Sequence, residues 1–178
     1  MKLISAIVCT TAAMGTSLLL PAVASATDVH CAADQGSDIT VIDGRSACRA
    51  ASDTFGRARA AGYDGVGYAK ATVGATAFGI GAAGGIGASE GVGGIPIAIG
   101  IGTDALALTS ISDAGERGAG GQILAVSIAL DGSRAGVESA DSAVVCLGSA
   151  AFAWSSATGA TCLATPFGRW QTAPVALG

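Results

Sequence analysis

Gly87-Ala88-Ser89-Glu90-Gly91 has the GxSxG spacing that, on a sharp strand-to-helix turn, presents a serine nucleophile in hydrolases. Ser89 then needs a base, and the chain has one histidine, His30, which precedes the serine where that fold places its histidine after it. A few residues earlier, Gly79-Ile80-Gly81-Ala82-Ala83-Gly84 fits GxGxxG, and Asp104 lies where a ribose-binding acid is expected in a dinucleotide fold. That chemistry requires a helix N-terminus to meet pyrophosphate, and "GIGASEGVGGIP" puts glycines and Pro96 where the helix must start. Asp131, Glu138 and Asp141 supply carboxylates of the kind that hydrolyse glycosides, but their spacing fixes no pair and fits solvated loop acids equally well. Trp154 and Trp170 could stack on sugar rings, although packing among small neighbours is the more common role of such residues. These residue sets argue against an enzyme: no catalytic residue, no cofactor and no small-molecule ligand is expected.

Four cysteines carry a firmer chemistry. Residues 1–26 have Lys2, a long apolar run and the small-residue end Ala24-Ser25-Ala26, the layout of a secretory signal peptide cleaved before Thr27. The small-x-small end disfavours a retained anchor. Cleavage leaves Cys31, Cys48, Cys146 and Cys162, an even set that in an exported chain predicts two disulfides. Of the three pairings possible, the sequence-local pairs Cys31 with Cys48 and Cys146 with Cys162 are expected. A metal site is not, since CxxC spacing is absent and His30 stands alone. The mature chain, residues 27–178, is one domain by length. With nine Lys and Arg less Lys2 against 13 acidic residues, and no basic stripe, nucleic acid is excluded as a partner.

The elements must be built from unusual material. Gly74 to Gly102 holds 11 glycines in 29 residues with Glu90 as its single charge, and aromatics are 4% of the chain. Few large side chains are available for a conventional core, so backbone must lie close to backbone. "SDITVIDGRSAC" reads as a strand leading to an Asp43-Gly44 turn. "ACRAASDTFGRARAAG" admits one short N-terminal helix, interrupted at Gly56. From Gly62 onward, small or apolar residues recur at every second position in bursts separated by glycine: Ala75 and Ala77, then Ile95, Ile97 and Ile99, then Ala105 and Ala107. Period two with close, regular turns predicts a compact β-solenoid or β-roll, in which the Gly-rich stretch forms the narrow interior and the turns, Gly and Ala let the coils stack closely, and Ile and Val fill what space exists. "GTDALALTS" and "GSAAFAWSS" share one order, placing Ala105, Ala107 or Ala151, Ala153 on one side and Leu106, Leu108 or Phe152, Trp154 on the other. "VSIALDGS" from Val126 matches "IPIAIGIG" from Ile95 more loosely.

A membrane helix over residues 71–101 is disfavoured by Glu90 at mid-span and by the glycine content, at about 1 kcal/mol per residue relative to alanine. The expected organisation is a cap over 27–62, a repeat-like core over 63–112 and C-terminal strands over 113–178.

"IPIAIGIGTDALAL" resembles the β-roll coils in the head domains of trimeric autotransporter adhesins, although the repeat here is irregular and no coiled-coil stalk follows. With "GYDGVGYA", "GIGASEG" and "VCLGSAAFAW…ATCLATPFGRWQT", the chain is similar to a group of short secreted actinobacterial proteins of unknown function. The first resemblance implies a roll-like fold; the second implies export and no particular activity. The expectation is a secreted or cell-envelope-associated, mainly β, disulfide-stabilised, non-enzymatic protein with a structural or surface-binding role. Envelope components or self-association are its expected partners. The alternatives are a small secreted serine hydrolase using Ser89 and an oligomeric envelope channel.

Overall fold

A computed structural model describes residues 27–111, 122–138 and 143–174. The signal-peptide expectation for 1–26 and the acid at Asp141 lie outside the described residues. The first half of the chain forms β1 (Asp28–Asp34), β2 (Asp38–Asp43), β3 (Ser46–Ser52), β4 (Arg57–Tyr63), β5 (Val66–Ala71), β6 (Thr76–Ala82) and β7 (Ile86–Gly87). The second half forms β8 (Ile95–Ile101), β9 (Leu106–Thr109), β10 (Leu124–Leu130), β11 (Arg134–Val137), β12 (Val144–Leu147), β13 (Ala151–Ser155), β14 (Thr161–Thr165) and β15 (Gly168–Thr172).

The described residues contain no helix, which corrects the expected N-terminal one. Over Ser46 to Tyr63 the alanines serve as inward spacers, with Ala50, Ala58 and Ala60 buried and Arg49, Arg57 and Arg59 exposed between them. Alternation with burial on one face overrides the helix propensity of Ala and Arg.

Two open sheets result. One has eight strands in the order β1-β4-β6-β8-β10-β13-β14-β15, the other seven in the order β12-β11-β9-β7-β5-β3-β2. From β3 to β11 the chain alternates between the sheets, and within each sheet these strands pair in parallel. From β3 to β9 the step between paired strands is regular: Arg57 pairs with Thr76, Phe78 with Ile97, Ala47 with Val66 and Ile86 with Leu106, a displacement of 19 or 20 residues, whereas the last turn is longer, Ile97 pairing with Val126 and Leu106 with Arg134. Val126 pairs with Ile97, so the loose sequence match of these two strands is offset by two residues, which leaves the alternation intact. Antiparallel strands end both sheets: β1 and β2 on one side, β12 to β15 on the other.

The interior is made of the smallest residues. Ala77, Ala98, Ala105, Ala107, Ala125 and Ala153 are fully buried, and Gly62, Gly81 and Gly100 stand in register on β4, β6 and β8. A Cβ placed on Gly79, Gly81, Gly87 or Gly100 overlaps backbone of the opposite sheet, at Tyr68, Val66, Ile80 and Ile86 respectively. The sheets therefore touch main chain to main chain along this line. The expectation that Ile and Val fill the interior is corrected: Ile95, Ile97 and Ile99 point outward, while Pro96, Ala98 and Gly100 between them are buried. The glycines take both expected places, the turns and the narrow interior. Gly74 and Gly84 do occupy left-handed turn positions, at φ 78° and 79°, whereas Gly79, Gly81, Gly87 and Gly100 lie inside strands.

Hydroxyls fill the remaining space. Ser127 donates to the Leu108 carbonyl at 2.9 Å, and Thr109 Oγ1 lies 2.7 Å from Ser127 Oγ and 2.9 Å from the Ile97 carbonyl. Ser133 Oγ accepts from the N–H groups of Ser149 and Ala150 at 3.1 and 3.0 Å. Each such bond offsets the cost of burying a polar group in a dry interior.

Both ends are stapled between sheets. Cys31 on β1 is bonded to Cys48 on β3, and Cys146 on β12 to Cys162 on β14. The bridges span 17 and 16 residues, and a loop of that size stabilises by about 3 kcal/mol, largely through the unfolded chain. Replacing either pair by alanine is expected to lower the unfolding free energy by about that amount in urea titrations at unchanged secondary structure.

Successive turns are tied together by Asp53. Its carboxylate accepts from the N–H of Val73 and from those of Phe55 and Gly56, at 3.0 and 2.6 Å for the last two. The Val73 bond is the largest influence holding this carboxyl below the usual range, with partial burial opposing it and the Phe55 and Gly56 bonds assisting. A depressed folded value means a contribution present above the ordinary carboxylate range and lost as pH falls through the folded value. Urea midpoints measured against pH are expected to fall more steeply on the acid side for wild type than for Asp53→Asn.

Candidate binding surfaces

Inward alternation leaves the large side chains outside. On the eight-stranded sheet the register lines up His30, Ala61, Ile80, Ile99, Ile128, Phe152, Leu163 and Trp170 across all eight strands. A second line runs Arg59, Phe78, Ile97, Val126 and Trp154. Most of these residues are half-buried by one another, while Leu163 and Trp170 are 42% and 55% exposed. From β6 to β15 no outward residue is charged. At the β4 side of this face Arg59 is bridged to Asp34 at 3.1 Å, and a shallow recess of about 210 Å³ opens among His30, Arg59, Ala61, Phe78 and Ile80.

The seven-stranded sheet carries a broader recess of about 790 Å³ on its outer face. Its walls are Tyr68, Leu106, Leu108, Val145 and Leu147, the small Gly136 lies in register between Leu108 and Val145, and Ala88 adds a second small lining residue. Arg134 and Glu138 stand at opposite ends of β11. Lys70 bridges Glu90 at 2.8 Å on the rim, and this hydrogen bond raises the lysine above its ordinary value.

The residues singled out from sequence do not converge. Ser89 borders the larger recess but is 1% exposed, and its Oγ donates to the Pro96 carbonyl at 2.9 Å. His30 sits on β1, lines the other recess, and packs edge-on against Tyr63 with ring centroids 5.4 Å apart. The GxGxxG segment is the end of β6 and the turn after it; Gly79 and Gly81 are there because the facing backbone leaves no room for a side chain. Asp104 lies in the turn before β9 at φ 62°. Asp131 and Glu138 flank β11, so they are separated by at least the strand's length, about 13 Å, beyond the roughly 5–9.5 Å of a glycosidase pair. Trp154 and Trp170 both belong to the outward apolar face.

The surfaces themselves were not among the sequence-derived candidates. Strict alternation of Gly or Ala with Ile, Leu, Phe or Trp was the available signal, because a site too narrow for large residues forces them to the other face.

Ser89 acts as an interior hydrogen-bond donor. Ser89→Ala leaves the buried Pro96 carbonyl without that bond and is expected to lower stability by about 1–3 kcal/mol in chemical denaturation; an unchanged midpoint contradicts this role.

No curated protein and no solved structure matches the chain. The model of a family of unknown function, DUF6764, matches residues 1–165, spanning β1 to β14 and both disulfides, and the chain belongs to that family.

Proposed function

We propose that this chain is a secreted or cell-envelope-associated, non-enzymatic protein, built as a two-sheet β-solenoid, that binds at the cell surface through its outward apolar face. The observation that carries the reading is the inversion of side-chain size, with glycine and alanine inside and isoleucine, phenylalanine and tryptophan outside. A contiguous apolar surface of several hundred Å² marks an interaction site more often than a chance exposure. The step of 19 or 20 residues repeated from β3 to β9 supports the solenoid, since each turn contacts only its neighbours. Two disulfides support folding in an oxidising compartment outside the cytosol. The same geometry disfavours the hydrolase, whose nucleophile is interior and whose histidine lines a different recess.

Protein recovered from culture supernatant and washed envelopes is expected to begin at Thr27 and to have no titratable thiol when denatured, whereas a retained leader adds the Cys9 thiol. Folded Ile128→Lys protein is expected to lose retention on isolated envelopes several-fold relative to wild type. Equal retention of the two sinks the assignment of the face.

A further inference from the structure

We propose that the recess on the seven-stranded sheet binds a short apolar peptide with free termini, lying along β11 with its carboxylate at Arg134 and its ammonium at Glu138. The site is on the other sheet from the face probed by Ile128→Lys and does not depend on the reading of that face. Shape, charge and size each contribute to the assignment.

A trough runs along β11. Register places Leu147 and Val145 of β12 on one side of Arg134 and Gly136, and Leu106 and Leu108 of β9 on the other. The floor is Gly136, and neither turn geometry nor the facing sheet requires glycine there. Among the described glycines inside strands, Gly136 alone has neither a positive φ nor an atom within 3.0 Å of where a Cβ would stand; the nearest is the Leu108 carbonyl oxygen at 3.1 Å. A side chain at this position would point outward and fill the trough, so its absence keeps the trough open. Beyond Leu108 the recess continues over Ala88 to Tyr68.

The two ends of the trough carry opposite charges. Arg134, Gly136 and Glu138 face outward, with Ala135 and Val137 buried between them. Among the described residues neither Arg134 nor Glu138 has an ion-pair partner, whereas Glu90 on the rim is already bridged to Lys70 at 2.8 Å. The turn acids on the Arg134 side, Asp104 and Asp131, do not line the recess and form no ion pair with Arg134. A fatty acid held at Arg134 lays its tail against the Glu138 carboxylate, and an alkylamine held at Glu138 lays its tail against the Arg134 guanidinium. A dipolar occupant pairs both ends and covers the leucines and valine between them.

Size selects a peptide. The chain rises about 13 Å from Arg134 to Glu138, and the termini of an extended tetrapeptide stand about as far apart. The recess of about 790 Å³ falls within the range of about 300–1,000 Å³ usual for ligand sites. It extends sideways from Val145 on β12 to Tyr68 on β5, which is wider than a single polymethylene chain and suits side chains on both sides of a backbone. The charges also fix direction: the bound peptide runs antiparallel to β11.

Isothermal titration calorimetry of the mature, disulfide-bonded protein with leucyl-alanyl-leucyl-alanine is expected to show one site. Amidating the peptide's carboxylate or acetylating its amine is expected to weaken binding about fivefold each, the scale of a surface ion pair. Arg134→Gln is expected to remove the preference for a free carboxylate while keeping that for a free amine, and Glu138→Gln to do the reverse. Gly136→Val, with fold checked by circular dichroism, is expected to abolish binding. No heat at millimolar peptide, equal binding of free and blocked peptides, a carboxylate preference that survives Arg134→Gln, or full binding by folded Gly136→Val overturns the proposal. A linear ω-amino acid of the same length that binds as tightly as the peptide overturns it in favour of a simpler zwitterion, and decanoate binding where the peptide does not overturns it in favour of an acyl chain.

Discussion

The lack of room for a side chain along the glycine line where the two sheets meet is the constraint on which the rest of this structure depends. Stacked sheets ordinarily sit about 10 Å apart because side chains from both inner faces interdigitate between them. Here Gly62, Gly81 and Gly100 form a line on one sheet that lies against backbone of the other, and a single methyl on any of them meets main-chain atoms closer than van der Waals contact allows. Main chain, unlike a side-chain rotamer, has nowhere to move without disturbing its own ladder of hydrogen bonds. The cross-section is set by this contact.

Two consequences follow. A thin interior removes little apolar area per residue from water, so the fold leans on continuous ladders, interior hydroxyl bonds and covalent staples at both ends. Cys31–Cys48 and Cys146–Cys162 each join one sheet to the other among the antiparallel end strands. The large apolar side chains, excluded from the interior, cover one another on the outside in register. That outer layer contributes stability through cross-strand packing and also creates the surface that invites a partner.

Much of this was legible in the residues. Period-two alternation identified the strands, the glycine content implied close backbone contact, and the division of Ala105 and Ala107 from Leu106 and Leu108 was read correctly. The place of isoleucine and valine was not. Hydrophobicity ranks isoleucine as interior material, and only the width of the gap, a property of two strands far apart in sequence, reverses that assignment. The segment around Ala50 and Ala58 failed for a related reason, since alanine favours a helix in isolation and serves here as the largest residue that fits. Ser89 looked like chemistry because a narrow strand selects glycine and serine together, which reproduces a nucleophile motif without its turn.

Neighbouring residues on one strand test the central claim most directly, by comparing the unfolding free energies of Gly79→Ala and Ile80→Ala. Gly79 faces the backbone of Tyr68, and Ile80 faces outward, half-buried. The account predicts that the added methyl costs about 3 kcal/mol or more, or prevents folding, while removal of most of the isoleucine side chain costs about 1 kcal/mol. A Gly79→Ala protein as stable as wild type, with Ile80→Ala the more damaged of the two, contradicts it and restores a conventional core.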